Sequence, residues 1–144
     1  MIYLLLGSNI EDAKGRAFYL SEARRLLSEK LQVELYCTEI IETEAVGFEG
    51  GAFLNQVVKA DYPIDNEDDA LKLLNVCQGI EIAIGRPAHS AVYNARGERV
   101  YSDRVIDIDI LDIDGFTMEN ERLRIPHPQV EEREFAGRLL KLCK

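Results

Sequence analysis

The chain has no tryptophan, two histidines, four prolines and three cysteines among 144 residues, and 17 Lys and Arg stand against 26 Asp and Glu. Each shortage closes a class of function. Cys37, Cys77 and Cys143 are odd in number and lack a C-x-x-C pair, which argues against a disulfide framework or a Cys-rich zinc site. A reducing, cytoplasmic setting is the expectation. The opening apolar run Tyr3-Leu4-Leu5-Leu6 has no basic leader and stops at Gly7, too short for a signal peptide or a spanning helix. A net charge of −9 disfavours nucleic acid, which selects a basic face, and the strands lack the clustered aromatics of an RNA-binding sheet. No Ser/His/Asp arrangement, H-E-x-x-H or G-x-x-x-x-G-K-[ST] occurs, so the commonest hydrolase, zinc-protease and Walker-type chemistries fall away. Without repeats, low-complexity segments or linkers, residues 1–144 are expected to form one domain, with 47% apolar residues to fill a single core.

What is present is unevenly charged. Residues 1–85 carry 7 basic and 15 acidic side chains, whereas residues 86–144 carry 10 and 11. Eight of the latter basic residues are arginines: Arg86, Arg96, Arg99, Arg104, Arg122, Arg124, Arg133 and Arg138. The planar guanidinium fork suits phosphate and carboxylate, so the partners expected are small phosphorylated ligands.

The pattern along the chain predicts β-α-β-β-α-β, a ferredoxin-like α+β arrangement with an antiparallel sheet. A strand over residues 2–6 is followed by a capping box, Ser8 to Glu11, that starts a helix ending near Lys30 with Ala13, Ala17, Leu20, Ala23, Leu27 and Leu31 buried. Val33 to Thr43 and Phe53 to Val58 read as strands, with Phe53 and Asn55 on one face. The acidic run after Pro63 opens a second helix that stops at Gly85, its inner side marked by Leu71, Leu74, Cys77 or Gln78, Glu81 and Ile84. Residues 86–103 form a long connection, two short extended arms about Asn94-Ala95-Arg96-Gly97, of the length found in lids and binding loops. A period-2 strand from Arg104 to Asp114 follows, and Pro126-His127-Pro128 leads into a last helix over 129–142.

Two carboxylates dominate the chemistry. Asp107 and Asp109 leave one strand face about 7 Å apart at the backbone. Unpaired, they would repel by roughly 2–3 kcal/mol at an effective dielectric near 20. A magnesium ion, hard and completed by substrate phosphates, answers that pair; a solvated strand face is the other reading. Ile106, Ile108 and Ile110 fill the opposite face, and from Leu111 the polar phase reverses so that Asp112 and Asp114 point the other way, a reversal that an ordinary amphipathic strand does not need and that a bulge also produces. Arg86, Arg104, Arg122 and Arg133 are candidates for a phosphate clamp or for ordinary surface charge. His127, held between prolines, can donate to a phosphate or be structural. Phe53 with Asn55 offers an aromatic face beside an amide, suited to a flat heteroaromatic ring or else to core and edge-strand duties.

In order along the chain, Leu6-Gly7-Ser8-Asn9, Phe53-Leu54-Asn55, Gln78-Gly79-Ile80-Glu81, Gly85-Arg86, Arg104-Val-Ile-Asp107-Ile-Asp109-Ile and Arg122-Leu-Arg-Ile-Pro-His127 through Arg133 and Phe135 resemble the 6-hydroxymethyl-7,8-dihydropterin pyrophosphokinases. The resemblance implies pyrophosphate transfer from ATP to a pterin alcohol, a step towards folate. It implies that Asp107 and Asp109 hold two magnesium ions with ATP, with Arg86 and Arg104 at the reacting phosphates. Gln78, Glu81, Ile110, Arg122, His127 and Arg133 would line the nucleotide, and Phe53 and Phe135 would sandwich the pterin. Asn55 would read the pterin edge, and Thr43 and Val46 would offer backbone contacts. The tryptophan usual in the loop before the acidic strand is absent, with Tyr101 the nearest aromatic, and the loop is longer than usual. A non-catalytic ferredoxin-like binding module and a metal-dependent phosphohydrolase are the rival classes, and the oligomeric state is left open.

Overall fold

The computed structural model describes residues 1–10, 14–44, 52–85, 92–93, 99–100 and 105–144. Its elements are β1 (Ile2–Ser8), α1 (Arg16–Leu31), β2 (Tyr36–Cys37), β3 (Ile41–Thr43), β4 (Phe53–Ala60), α2 (Glu67–Ile84), β5 (Val92–Tyr93), β6 (Arg99–Val100), β7 (Asp107–Ile113), β8 (Met118–Glu119), β9 (Arg124–Ile125), α3 (Gln129–Glu132) and α4 (Glu134–Cys143). The main sheet is antiparallel: β2 and β3 both pair with β4, β4 with β1, and β1 with β7 at the far edge. Among the described residues no helix is long and apolar enough to cross a membrane.

Alternation along the strands divides the core in two. Ile2, Leu4 and Leu6 of β1, Val58 and Ala60 of β4, and Ile106, Ile108 and Ile110 on β7 and at its threshold pack with Leu20, Ala23 and Leu27 of α1 and Leu73, Cys77 and Ile80 of α2. The residues between them, Tyr3, Leu5 and Val57, face the other way and meet Ala136, Leu139, Leu140 and Cys143 of α4. Each fully buried Leu or Ile contributes roughly 1.5–3 kcal/mol. Two helices therefore cover one face, and α4 lies against the other.

Several boundaries differ from the sequence expectations. Ser8 is not a helix cap: it ends β1, is fully buried opposite Leu54, and its hydroxyl has no hydrogen-bond partner among the described residues. Helix α1 begins instead at Arg16, behind Gly15 (φ 89°) and without a side-chain cap. Arg16 ties this start to the sheet through the Ala52 carbonyl at 2.8 Å and Glu42 at 3.0 Å. Ala17 is exposed, while Leu20, Ala23, Leu27 and Leu31 are buried as the spacing requires; Ala13 and Glu11 lie outside the described residues. The expected strand over 33–43 is broken because Thr38 takes over the ladder. Its N–H donates to Val57 (2.9 Å), its hydroxyl accepts from the Val57 N–H (3.1 Å), and its carbonyl accepts from Gln56 Nε2 (2.7 Å).

Helix α2 starts within the acidic run and stops at Gly85 as expected, and the structure adds a cap, Asn66 Oδ1 accepting from the Asp69 N–H at 2.9 Å. Of its expected inner side Cys77 and Glu81 are buried and Leu71, Leu74 and Ile84 are partly buried against the core, while Ala70, Leu73 and Ile80 complete the buried line and Gln78 is exposed. The two arms expected around residue 95 pair as β5 and β6; the turn between them and the rest of the 86–103 connection lie outside the described residues. The last helix is two: Arg133, extended at φ −117°, separates α3 from α4. In β7 a register shift opposite Tyr3 and Leu4 makes Leu111 a surplus residue, so Asp112 pairs with Tyr3. That bulge corrects the expected reversal at Asp112, whose carboxylate stays on the side of Asp107 and Asp109 and meets Lys144 there.

Candidate active site

On the face that α4 shares, Gly7 is paired with Asn55 on one side and Asp107 on the other, and two residues along Leu5 is paired with Val57 and Asp109. With neighbouring strands about 4.8 Å apart, the Asn55 amide and the Asp107 carboxylate rise from backbones about 10 Å apart, with a bare α-carbon between them. Gly7 is not among the glycines with positive φ, so the backbone does not demand glycine there. A Cβ at that position would stand 3.4 Å from Asn55 Oδ1 and 3.6 Å from Phe53 Cδ1. What glycine supplies is room for something to approach the sheet.

The Asn55 side chain is 4% exposed, and its Nδ2 donates to Thr43 Oγ1 at 2.7 Å. That bond orients the amide and leaves Oδ1 beside Gly7. Thr43 pairs with Phe53, whose half-buried ring borders the same opening. Asn55 and Phe53 thus share a face, as expected. Val46 lies outside the described residues.

Asp107 and Asp109 are half-buried on this face while Ile106, Ile108 and Ile110 are in the core behind them. Gln129 Nε2 donates to Asp109 Oδ2 at 3.0 Å. His127 is placed from the edge, its N–H donating to the Leu111 carbonyl at 2.8 Å. Its Nδ1 accepts from the Gln129 N–H at 3.2 Å, so the neutral ring carries its proton on Nε2. Burial holds the His127 pKa below the ordinary imidazole value, against the pull of the Asp107 and Glu132 charges in the opposite direction.

A second group of expected residues lies along α2 and the outer edge of β7. Glu81, 5% exposed, accepts from the Ile108 N–H at 2.8 Å and so satisfies one donor on the β7 edge, which no further strand covers among the described residues. Ile110 has its side chain in the core, 1% exposed, so it offers that edge only its backbone. Arg122 reaches Asn75 Oδ1 at 2.7 Å, one turn of α2 before the exposed Gln78. Arg133 lies exposed between α3 and α4, its guanidinium carbon 6.0 Å from the centre of the Phe135 ring, which packs partly against the α4 cluster. Arg86 and Arg104 lie outside the described residues. Gly7, Asn75 and Gln129 were not singled out as site residues by the sequence patterns. Only Gly7 had a readable signal, a glycine ending an apolar strand.

Residues 3–143 match the sequence model of the 7,8-dihydro-6-hydroxymethylpterin-pyrophosphokinase family. A 2-amino-4-hydroxy-6-hydroxymethyldihydropteridine pyrophosphokinase of Porphyromonas gingivalis is 36% identical over 137 residues, 94% of this chain and 84% of that protein. The protein of the same name from Bacillus subtilis is 34% identical over 145 residues, 99% of this chain and 77% of its own, and that from Aquifex aeolicus is 35% identical over 135 residues, 93% and 74%. With the match running from one end of the fold to the other, the chain belongs to the 7,8-dihydro-6-hydroxymethylpterin-pyrophosphokinase family.

Proposed function

We propose that the protein transfers pyrophosphate from ATP to the hydroxymethyl oxygen of 6-hydroxymethyl-7,8-dihydropterin in folate biosynthesis, releasing AMP, with magnesium as its cofactor. The observation that carries the site assignment is the row Asn55–Gly7–Asp107, an amide and a carboxylate separated by an uncovered strand carbon. The pterin lies over Gly7, Asn55 reads its hydrogen-bonding edge, and Phe53 and Phe135 take its faces, with Thr43 fixing the Asn55 amide. ATP lies along the β7 edge and α2, bordered by Gln78, Glu81, the Ile110 backbone and Arg122.

The donor set fits magnesium. Asp107 and Asp109 supply hard oxygens on a half-open face, and no group of three or more His, Cys, Asp or Glu able to hold a metal alone occurs among the described residues. Such a site is completed by substrate phosphates. Magnesium, when bound, offsets phosphate charge and eases deprotonation of the attacking hydroxyl. The hydroxymethyl oxygen forms its bond to the β-phosphorus as the bond from that phosphorus to the α–β bridging oxygen breaks, and AMP leaves with the bridging oxygen. Asp109 accepts the hydroxyl proton. His127 donates from Nε2 to a phosphate, and Arg133, with Arg86 and Arg104, supplies the positive charge that positions the chain of phosphates.

The order β7–β1–β4–β2/β3, with β2 and β3 taken as one interrupted strand, supports a ferredoxin-like reading of the sheet. Three free cysteines accord with a cytoplasmic location. The deciding experiment is turnover. AMP is expected from ATP only when pterin alcohol and magnesium are both present. Release of inorganic phosphate without pterin would replace this reading with a phosphohydrolase, and nucleotide binding without any turnover would replace it with a binding module.

A further inference from the structure

Gln129 faces the acidic pair from outside the strand that carries it. As the first residue of α3 it is only 7% exposed, and its Nε2 lies 3.0 Å from Asp109 Oδ2. Its backbone N–H donates to His127 Nδ1 at 3.2 Å, and its carbonyl accepts from the Arg133 N–H at 2.9 Å. His127 in turn donates to Leu111 at the β7 bulge, so the connection closes on the strand that bears Asp109. A polar side chain this deeply buried is kept in one place by its partner, and here the partner is one oxygen of a carboxylate.

We propose that Gln129 is a positioning residue for Asp109, its amide engaging Oδ2 so that the plane of the carboxylate is fixed before a cation arrives. The inference rests on the reading of Asp109 as a magnesium ligand. An amide suits the task because it donates to the charged carboxylate without bringing a positive charge that would compete with the cation, as Lys or Arg would. Groups that orient a metal's ligands in this way commonly change metal affinity 10–100-fold when removed.

The test uses the full chain with a non-hydrolysable ATP analogue and Mn2+ as a spin probe, free Mn2+ being measured by electron paramagnetic resonance. Gln129→Met is expected to raise the Mn2+ Kd on the order of 10-fold while the pterin Kd stays within about twofold. In an Asp109→Asn background the same substitution is expected to add nothing. Gln129→Asn, whose amide falls one methylene short, is expected to move the Kd in the same direction and serves if the Met variant does not fold. An unchanged Mn2+ Kd, or an equal rise in both backgrounds, overturns the inference and leaves the functional reading standing. Absence of Mn2+ binding by the unsubstituted chain overturns both.

Discussion

A side chain at position 7 would stand in the middle of the row that joins Asn55 to Asp107. Because the nearest atoms to an added Cβ are 3.4 and 3.6 Å away, ordinary contact distances, the fold itself has room for alanine. Alanine is also better than glycine inside a strand by up to about 1 kcal/mol. Gly7→Ala is therefore expected to hold or slightly raise the melting temperature while weakening pterin binding about 10-fold, or ~1.4 kcal/mol. A thermal melt beside a pterin titration checks this, and an unaltered pterin Kd would remove Gly7 from the floor of the site. Asp107 and Asp109 were legible as a pair because strand alternation puts residues two apart on one face whatever the tertiary surroundings. Gln129 was not legible: its role depends on a contact with β7 across 20 residues of chain, and the local pattern around it reads only as the start of a helix.

Among the elements, α3 and α4 are coupled through a close approach. A Cβ on Gly137 would lie 2.7 Å from the Val130 carbonyl oxygen, a backbone atom that cannot swing aside. Gly137→Ala gains about 1 kcal/mol of helix propensity but must push α3 away at a cost of about 1–3 kcal/mol. A lower urea midpoint is expected for this variant; an unchanged or higher one would show that α3 shifts freely against α4. The expected single helix over 129–142 missed this join because nothing in the composition at Arg133 breaks a helix. The break comes with α3 docking towards β7 through Gln129, His127 and the Leu111 carbonyl. The start of α1 was misplaced for a related reason. Ser8 and Glu11 have capping-box spacing, but β1 continues through Ser8 because its pairing with Leu54 holds it in the sheet. Helix α2, by contrast, was readable at both ends, since the acidic first turn Glu67-Asp68-Asp69 and Gly85 act locally on the helix termini.

At the scale of the molecule, the sheet separates stability from chemistry. The face under α1 and α2 is closed and apolar, with Leu20, Leu27, Leu73 and Ile80 at 0% exposure, whereas the opposite face carries the carboxylate pair, Asn55 and the opening over Gly7. Leu20→Ala is expected to cost about 2–5 kcal/mol of stability. Asp107→Asn is expected to leave the unfolding midpoint almost unchanged and to lower turnover by orders of magnitude. Urea titration and AMP formation, measured on both variants, separate the two outcomes; retained turnover in Asp107→Asn would remove the carboxylate from the reaction. The antiparallel α+β architecture was readable from element order alone, because amphipathic helices between apolar strands leave few ways to bury both.

The surplus leucine in β7 has a consequence for how the protein tolerates change in length. Deleting the codon for position 111 would leave a plain alternation that keeps Asp107, Asp109 and Asp112 on one side and Ile108, Ile110 and Ile113 on the other, so the strand itself would not have to rotate. What would go is a side chain from the apolar cluster under α4 and the carbonyl that receives the His127 N–H. The extra residue thus serves as a mooring for the segment that docks beside the strand, and a shortened gene product should keep its sheet while losing its grip on that neighbour.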